Sequence, residues 1–160
     1  METFYRPVTG NDGRMERMTK ASTKANRAHD AFAASTGGVT VRVTPFYLPE
    51  QSDPDAPRHV WAYTVEIENA GDGAVQLRER SWRITDGNGA VEHVHGPGVV
   101  GEQPVLGPGE SFEYTSGCPL STPSGFMEGY YTMVREGGET FEAAIPAFSL
   151  DLPGAGRVLN

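Results

Sequence analysis

Hydrophobic and polar residues alternate along most of the chain after Gly37. The segment VTVRVT at 39–44 places valines on one face of an extended chain and threonine or arginine on the other. The segment HVWAYTVEIEN at 59–69 repeats the pattern, with one face formed by Trp61, Tyr63, Val65 and Ile67. A period of two is typical of a β-strand that buries one face, so both segments are predicted to be strands.

The segment VQLRERSWRITDGNG at 75–89 changes its alternation part of the way along. Val75 and Leu77 share one parity, whereas Trp82 and Ile84 share the other. A β-bulge near Arg80 would bring all four side chains to one face. The DGNG sequence then predicts a hairpin turn, because Gly and Asn tolerate positive φ, and AVEHVH predicts a short strand after it.

Three further alternating segments complete the predicted fold: SFEYTSG, FMEGYYTMVRE and ETFEAAIPAFSLDL. Pro146 lies inside the last of them and has no N–H to donate, which predicts an edge strand or a bulge. About seven or eight strands at hairpin spacing, without a convincing helix, predict an all-β fold. The expected architecture is an immunoglobulin- or fibronectin-III-like antiparallel β-sandwich.

Residues 1–36 have a different character from the rest of the chain. They contain six basic and four acidic residues, whereas residues 37–160 contain seven arginines, no lysine and 17 acidic residues. Their apolar residues follow neither period, so about the first 25 are predicted to be disordered. The stretch NRAHDAFAA allows a turn or two of helix, too short to be stable alone. We therefore predict a flexible or disordered N-terminal extension at 1–36 and a β-sandwich domain at 37–160.

Composition narrows the classes of function. The net charge of −8 argues against nucleic acid or an anionic membrane as a general partner. No apolar run approaches the roughly 18 residues that span a bilayer, and the N-terminus lacks the apolar stretch of a secretory signal. We expect a soluble cytoplasmic protein without membrane insertion. Cys118 is the only cysteine, which excludes an intrachain disulfide.

The segment HGPGVVGEQPVLGPGE at 95–110 contains a G-x-G-x-x-G run at Gly96, Gly98 and Gly101. A dinucleotide site needs a helix after this run, and the prolines and glycines that follow do not allow one. Two interpretations stay open. Either the glycines shape a loop whose Val99 and Val100 fill the end of the sandwich, or successive amides form an anion-binding nest.

The other chemically active side chains give weaker patterns. His93 and His95 would point to the same side of a strand, yet a third metal ligand is not evident, so no metal site or cofactor is predicted. Cys118 has no recognisable base and is interpreted as a packed thiol. Arg78, Arg80 and Arg83 flank Trp82, which allows guanidinium stacking toward a ligand or partner or simply a charged exposed face. No enzyme chemistry is recognisable.

Several motifs in order resemble the bacterial ApaG family: RHVWAYTVEIEN, VQLRERSWRITDGNG, GVVGEQPVLGPGESFEYTSG, TPSGFMEGYYTMV and IPAFSL. The resemblance spans about residues 38–158. It implies a fibronectin-III-like sandwich, no established catalytic activity, and an association with cobalt and magnesium resistance or efflux. It also implies a possible phosphate-binding loop at Gly96, Gly98, Val99, Val100 and Gly101. Pro97 removes one N–H from that loop.

The resulting hypothesis is a non-catalytic interaction module that acts through a protein partner and influences divalent-cation efflux indirectly. The alternative is a sensor of phosphate or a nucleotide polyphosphate that uses residues 96–101. A third hypothesis is direct Co²⁺ or Mg²⁺ binding through His93 and His95. An exposed edge strand would also allow a homodimer by sheet extension.

Overall fold

A computed structural model describes residues 3–9 and 32–153. These residues form ten β-strands and one 3₁₀ turn, Pro49–Gln51. The strands are β1 Thr3–Thr9, β2 Phe32–Thr36, β3 Val39–Tyr47, β4 His59–Asn69, β5 Val75–Asp86, β6 Val91–Pro97, β7 Val105–Leu106, β8 Ser111–Leu120, β9 Gly125–Arg135 and β10 Thr140–Leu150. Among these residues, no helix is long and apolar enough to cross a membrane.

The strands form two antiparallel sheets that pack as a sandwich. The first sheet has the order β1-β8-β4-β3-β2 and the second has the order β10-β9-β5-β6, with β7 paired beside β5. Trp82 and Phe148 of the second sheet meet Tyr63 of the first, with ring centroids 5.3 and 5.8 Å from that of Tyr63. The predicted all-β sandwich is confirmed.

The alternation in β4 correctly predicted its core face. Trp61, Tyr63, Val65 and Ile67 are all buried in the core between the sheets. The opposite face is less exposed than a period of two suggests, because β4 lies between β3 and β8. Glu66 on that face is buried and pairs with Arg42 of β3 at 3.4 Å.

The bulge predicted in β5 between Leu77 and Trp82 exists. The register of β5 against β9 shifts between Leu77 and Glu79, just before Arg80. The extra residue at the bulge exchanges the inward and outward positions of the strand that follows it. The core therefore contains Val75 and Leu77 from before the bulge and Trp82 and Ile84 from after it.

Pro146 lies where both predicted explanations apply. Strand β10 is at the edge of the second sheet. Its register against β9 also shifts between Ile145 and Phe148, which is a bulge across Pro146. The missing N–H of Pro146 therefore interrupts no regular part of the ladder.

The sandwich begins before Gly37, where the sequence pattern placed its first residue. Phe32–Thr36 pairs with β3 as an edge strand, and Gly37 and Gly38 form the turn between them with φ of 55° and 88°. Positive φ at both positions is the geometry of a two-residue hairpin. The short, alanine-rich FAAST segment gave little strand signal, and the helical turn considered for Phe32–Ala34 is absent there.

The backbone of Thr3–Thr9 also forms a strand, β1, which pairs with β8. Residues 10–31, most of the predicted flexible extension, lie outside the described residues. The predicted flexibility of residues 10–31 therefore stays a prediction.

Candidate functional site

The glycine loop follows directly from β6 and reverses in a tight turn. Val99 and Glu102 exchange two backbone hydrogen bonds of 2.8 Å, each amide donating to the other's carbonyl. Val100 and Gly101 form the turn between them, with φ of 43° and 80°. A two-residue turn of this kind needs positive φ at both central positions, so the turn imposes on Val100 a conformation that is rare for a β-branched residue.

Packing explains much of the glycine and valine content of this loop. Val99 is fully buried in the core, and Val100 packs against the core from its edge. At Gly98, with φ of 63°, a Cβ atom would collide with the carbonyl oxygen of Glu102. These contacts support the interpretation that the loop closes the end of the sandwich.

The loop amides are only partly available to an anion. Gly98 N–H donates to Arg78 O and Val99 N–H donates to Glu102 O, both at 2.8 Å. Gly96 lies within β6, opposite Arg80. Within the described part of the chain, the loop amides without an internal acceptor are those of Val100 and Gly101. Binding of phosphate by Gly96, Gly98, Val99, Val100 and Gly101 stays a prediction.

Arg80 of β5 stabilises the loop through hydrogen bonds to two of its carbonyl groups. Its Nη1 donates to Pro97 O and to Gly98 O, each at 2.9 Å. A Cβ on Gly96 would lie 3.2 Å from the same guanidinium, so Gly96 provides the space for it. The loop therefore presents carbonyl oxygens to an arginine of its own chain.

The three arginines of β5 diverge because of the bulge. Arg78 is exposed and its Nε donates to Gln76 Oε1 at 3.2 Å. Arg80 holds the loop, and Arg83 is exposed on the outer face of the second sheet. Trp82 is buried in the core, so it offers no exposed ring for guanidinium stacking, and the alternative of a charged exposed face is left for Arg78 and Arg83.

A trough crosses the outer face of the second sheet, with a volume of about 490 Å³. Register places Ile145, Gly129, Trp82 and Val94 side by side on β10, β9, β5 and β6. This row forms the floor, because its side chains turn toward the core and Gly129 has none. One wall contains Tyr130, Ser81 and His95, and the other contains Glu128, Arg83 and His93.

The first wall contains a serine bonded to a histidine. Ser81 Oγ lies 2.8 Å from His95 Nδ1, and Glu79 Oε1 lies 3.6 Å from His95 Nε2. The chain of contacts runs from a hydroxyl to an imidazole to a carboxylate, which is the order found in a catalytic triad. The His95 and Glu79 side chains are 60% and 49% exposed, so solvent weakens the polarisation that a catalytic set requires.

The second wall contains an exposed ion pair and the imidazole of His93. Arg83 Nη1 lies 3.3 Å from Glu128 Oε2, a long and half-exposed contact. His93 lies directly opposite Arg83 and, like His95, faces the trough. The two histidines lie on the same side of their strand, as predicted. Among the described residues, no group of three or more His, Cys, Asp or Glu is arranged to hold a metal ion.

Cys118 lies in the core, as the packed-thiol interpretation requires. Burial raises its pKa from the ordinary 9.0 to about 12, with a smaller contribution from Glu92. The thiol is therefore protonated and a poor nucleophile at neutral pH.

The residues that sequence reasoning missed are Ser81, Tyr130 and Glu128. Each is an ordinary outward-facing strand residue in a segment whose alternation was recognised. Their proximity depends on the register of β5 against β9, which no local motif specifies. The inward-facing glycine at 129 was the available signal, since it breaks the apolar series of Met127, Tyr131 and Met133.

Comparison with known proteins identifies the family. The ApaG domain pattern matches residues 49–135. The chain is 62% identical over 129 residues to Protein ApaG of Methylobacterium sp. (strain 4-46) and 60% identical over 129 residues to that of Mesorhizobium japonicum; each alignment covers 81% of this chain and 99% of the relative.

Solved structures agree with the sequence comparison. A crystal structure described as the ApaA protein from Bordetella pertussis has a TM-score of 0.72 and 55% identity, covering 73% of this chain and 95% of that one. A second X-ray structure, the structural genomics target SoR45, has a TM-score of 0.70 and 44% identity, covering 74% and 89%. None of these names indicates a catalytic activity. The chain therefore belongs to the ApaG family.

Proposed function

We propose that this chain is a non-catalytic interaction module that binds a protein partner through the outer face of its second sheet. Its influence on cobalt and magnesium tolerance would then pass through that partner, in the cytoplasm. The observation that carries the proposal is an exposed apolar pair on this face, Phe126 and Val91, which are 41% and 43% exposed.

The two side chains belong to one surface. Phe126 of β9 and Val91 of β6 are both register partners of Thr85 on the strand between them, so their backbones are about 10 Å apart. Thr85 is buried in the row that they flank. Exposed apolar residues that adjoin one another favour a binding surface more than scattered ones do.

The edge of the sheet lies beside this pair. Strand β6 ends the order of the second sheet, and none of the described strands pairs with its outer side. Its backbone groups are therefore in position to accept a further strand, while Val91 provides apolar contact. A second copy of the chain is the homodimer alternative, which stays a prediction.

Affinity capture from cells of the source organism tests this proposal. Phe126→Ser and Val91→Ser should each lose a partner that the unmodified chain retains. Phe46→Ser is the matched control, since Phe46 is 45% exposed on the first sheet. Strains carrying only Phe126→Ser should grow in Co²⁺ as poorly as a deletion strain. A partner retained by Phe126→Ser, or lost equally by Phe46→Ser, would overturn the proposal.

A second candidate function is a phosphate or nucleotide-polyphosphate sensor at the glycine loop. The observation that favours it is the adjacent amides of Val100 and Gly101, both at positive φ. Titration calorimetry with pyrophosphate and with ATP, each with and without Mg²⁺, tests it. Saturable heat, together with NMR shifts of the Val100 and Gly101 amides on addition of the same ligand, would support this function. No heat at millimolar ligand would reject it.

A further inference from the structure

The trough on the outer face combines a guanidinium, two imidazoles and an aromatic ring around an open floor. We propose that it binds the phosphate group of a small phosphate monoester, with Arg83, His93 and His95 as the phosphate contacts. Tyr130 would hold the organic part of the ligand. This site is separate from the glycine loop and does not depend on the proposed protein partner.

Strand register places the three donor side chains around one point. Arg83 is directly opposite His93, and Ser81 is directly opposite His95. Opposed residues lie about 5 Å apart and alternate residues about 6.6 Å apart on one face of a sheet. These four positions therefore form a near-rectangle on the outer face, and a phosphate above its centre is within reach of Arg83, His93 and His95.

The donors are accessible. The Arg83 side chain is 53% exposed, and its one ion pair within the described residues is the 3.3 Å contact with Glu128. A guanidinium has five N–H groups, so Arg83 retains donors for two phosphate oxygens. When Ser81 donates to His95 Nδ1, the ring proton of His95 lies on Nε2, 3.6 Å from Glu79 Oε1, and a ligand reaches it by displacing that carboxylate.

The carboxylates around the trough favour a doubly charged ligand over a weaker anion. Glu128 lies against Arg83, and Glu79 lies 3.6 Å from His95. A ligand must compete with Glu128 for the Arg83 guanidinium and with Glu79 for the Nε2 side of His95. A phosphate monoester has a larger negative charge than a carboxylate and can bind a guanidinium through two oxygens. The carboxylate of Glu128 makes only a single long contact with Arg83.

The floor of the trough and the part of the first wall near Tyr130 provide space for the organic part of the ligand. Gly129 has no side chain, and Ser81 is small, so the trough is open between Tyr130 and the phosphate contacts. A volume of about 490 Å³ is within the range of about 300–1,000 Å³ that is usual for small-molecule sites. A ring or sugar placed over Ser81 would pack against the phenol of Tyr130.

Backbone-amide NMR titration of the full chain tests the site with three probes: inorganic phosphate, AMP and adenosine. AMP should shift the amides of Ser81, Arg83, His93 and His95 in a saturable way. Adenosine should not. If inorganic phosphate binds as tightly as AMP, the ligand is free phosphate and the site stands. Shifts confined to residues 96–101, or equal shifts with adenosine, would overturn the proposal.

Variants distinguish specific contacts with the phosphate from non-specific attraction by positive charge. Arg83→Gln should weaken AMP binding by about tenfold or more, since it removes a charge-assisted contact. Arg78→Gln is the matched control, because Arg78 is exposed on the same strand outside the trough. Tyr130→Leu should weaken AMP binding and leave phosphate binding unchanged. Equal losses for Arg83→Gln and Arg78→Gln would show attraction by charge alone and reject the site.

Discussion

Arg80 and Gly98 are joined by a hydrogen bond in which the guanidinium Nη1 donates to the glycine carbonyl at 2.9 Å. The contact fastens the glycine loop to strand β5 and explains the orientation of the loop carbonyls. The glycine run at 96–101 therefore has a structural role, which is to close the end of the sandwich.

Replacing Arg80 should destabilise the fold. Arg80→Ala leaves the carbonyls of Pro97 and Gly98 without this donor. The first contact is exposed and the second is partly buried, so we expect a loss of about 1–2 kcal/mol. In a domain of this size each kcal/mol lowers Tm by about 2–4 °C. Thermal unfolding followed by circular dichroism measures the change. Arg78→Ala should leave Tm nearly constant, and an equal drop would contradict the role given to Arg80.

Gly98→Ala should destabilise the chain much more than Gly89→Ala. Both glycines have positive φ, at 63° and 86°. A Cβ at Gly89 meets open space, whereas a Cβ at Gly98 meets the Glu102 carbonyl. We expect a loss of about 1 kcal/mol at Gly89 and more than about 2 kcal/mol at Gly98, measured by urea unfolding. Comparable losses would show that the collision is relieved at little cost.

The hydroxyls of Tyr114 and Tyr131 form a buried pair at 2.5 Å between the two sheets. Tyr114→Phe leaves the Tyr131 hydroxyl without this partner, which should cost about 1–3 kcal/mol. Replacing both tyrosines by Phe removes both polar groups and should recover part of that loss. Urea unfolding of the two single variants and the double variant gives the coupling energy. Strictly additive losses would contradict the pairing.

Stability should fall as pH rises above about 9. Burial raises the pKa of Cys118 to about 12 and raises the pKa of Tyr63 and Tyr114 above the ordinary 10.0. The unfolded chain releases these protons first, so alkaline pH favours unfolding, by up to about 1.4 kcal/mol per pH unit for each group. The stabilisation that these raised pKa values give the folded state is fully present below about pH 9.

Urea unfolding at pH 8, 9, 10 and 11 measures this dependence. Cys118→Ala should begin its decline about one pH unit higher than the unmodified chain, because the ordinary pKa of a thiol is 9.0 and that of a phenol is 10.0. A stability that is constant or increases across this range would contradict the assigned burial of these groups.

The sequence predicted the sandwich because β4, β8, β9 and β10 have clear alternation or spacing. It could not place the bulge at Leu77–Glu79, since the parity change is compatible with any position before Trp82. It missed β2 because small residues such as Ala33 and Ala34 give no amphipathic signal.

The candidate site was less predictable than the fold. The glycine run is a local motif, so its special backbone geometry could be anticipated at Gly98 and Gly101. Positive φ at Val100 could not, because the two-residue turn closed by the Val99–Glu102 hydrogen bonds imposes it and a β-branched residue gives no local sign of it. The trough joins β9, β5 and β6 through register, and register is settled by the whole sheet.

The central claim is that the outer face of the second sheet is the surface where a partner binds. Photo-crosslinking in cells with p-benzoylphenylalanine in place of Phe126 tests it most directly, with the same substitution at the similarly exposed Phe46 as control. We expect a discrete adduct with another protein from position 126 and none from position 46. No adduct from position 126, or the same adduct from both positions, would contradict it.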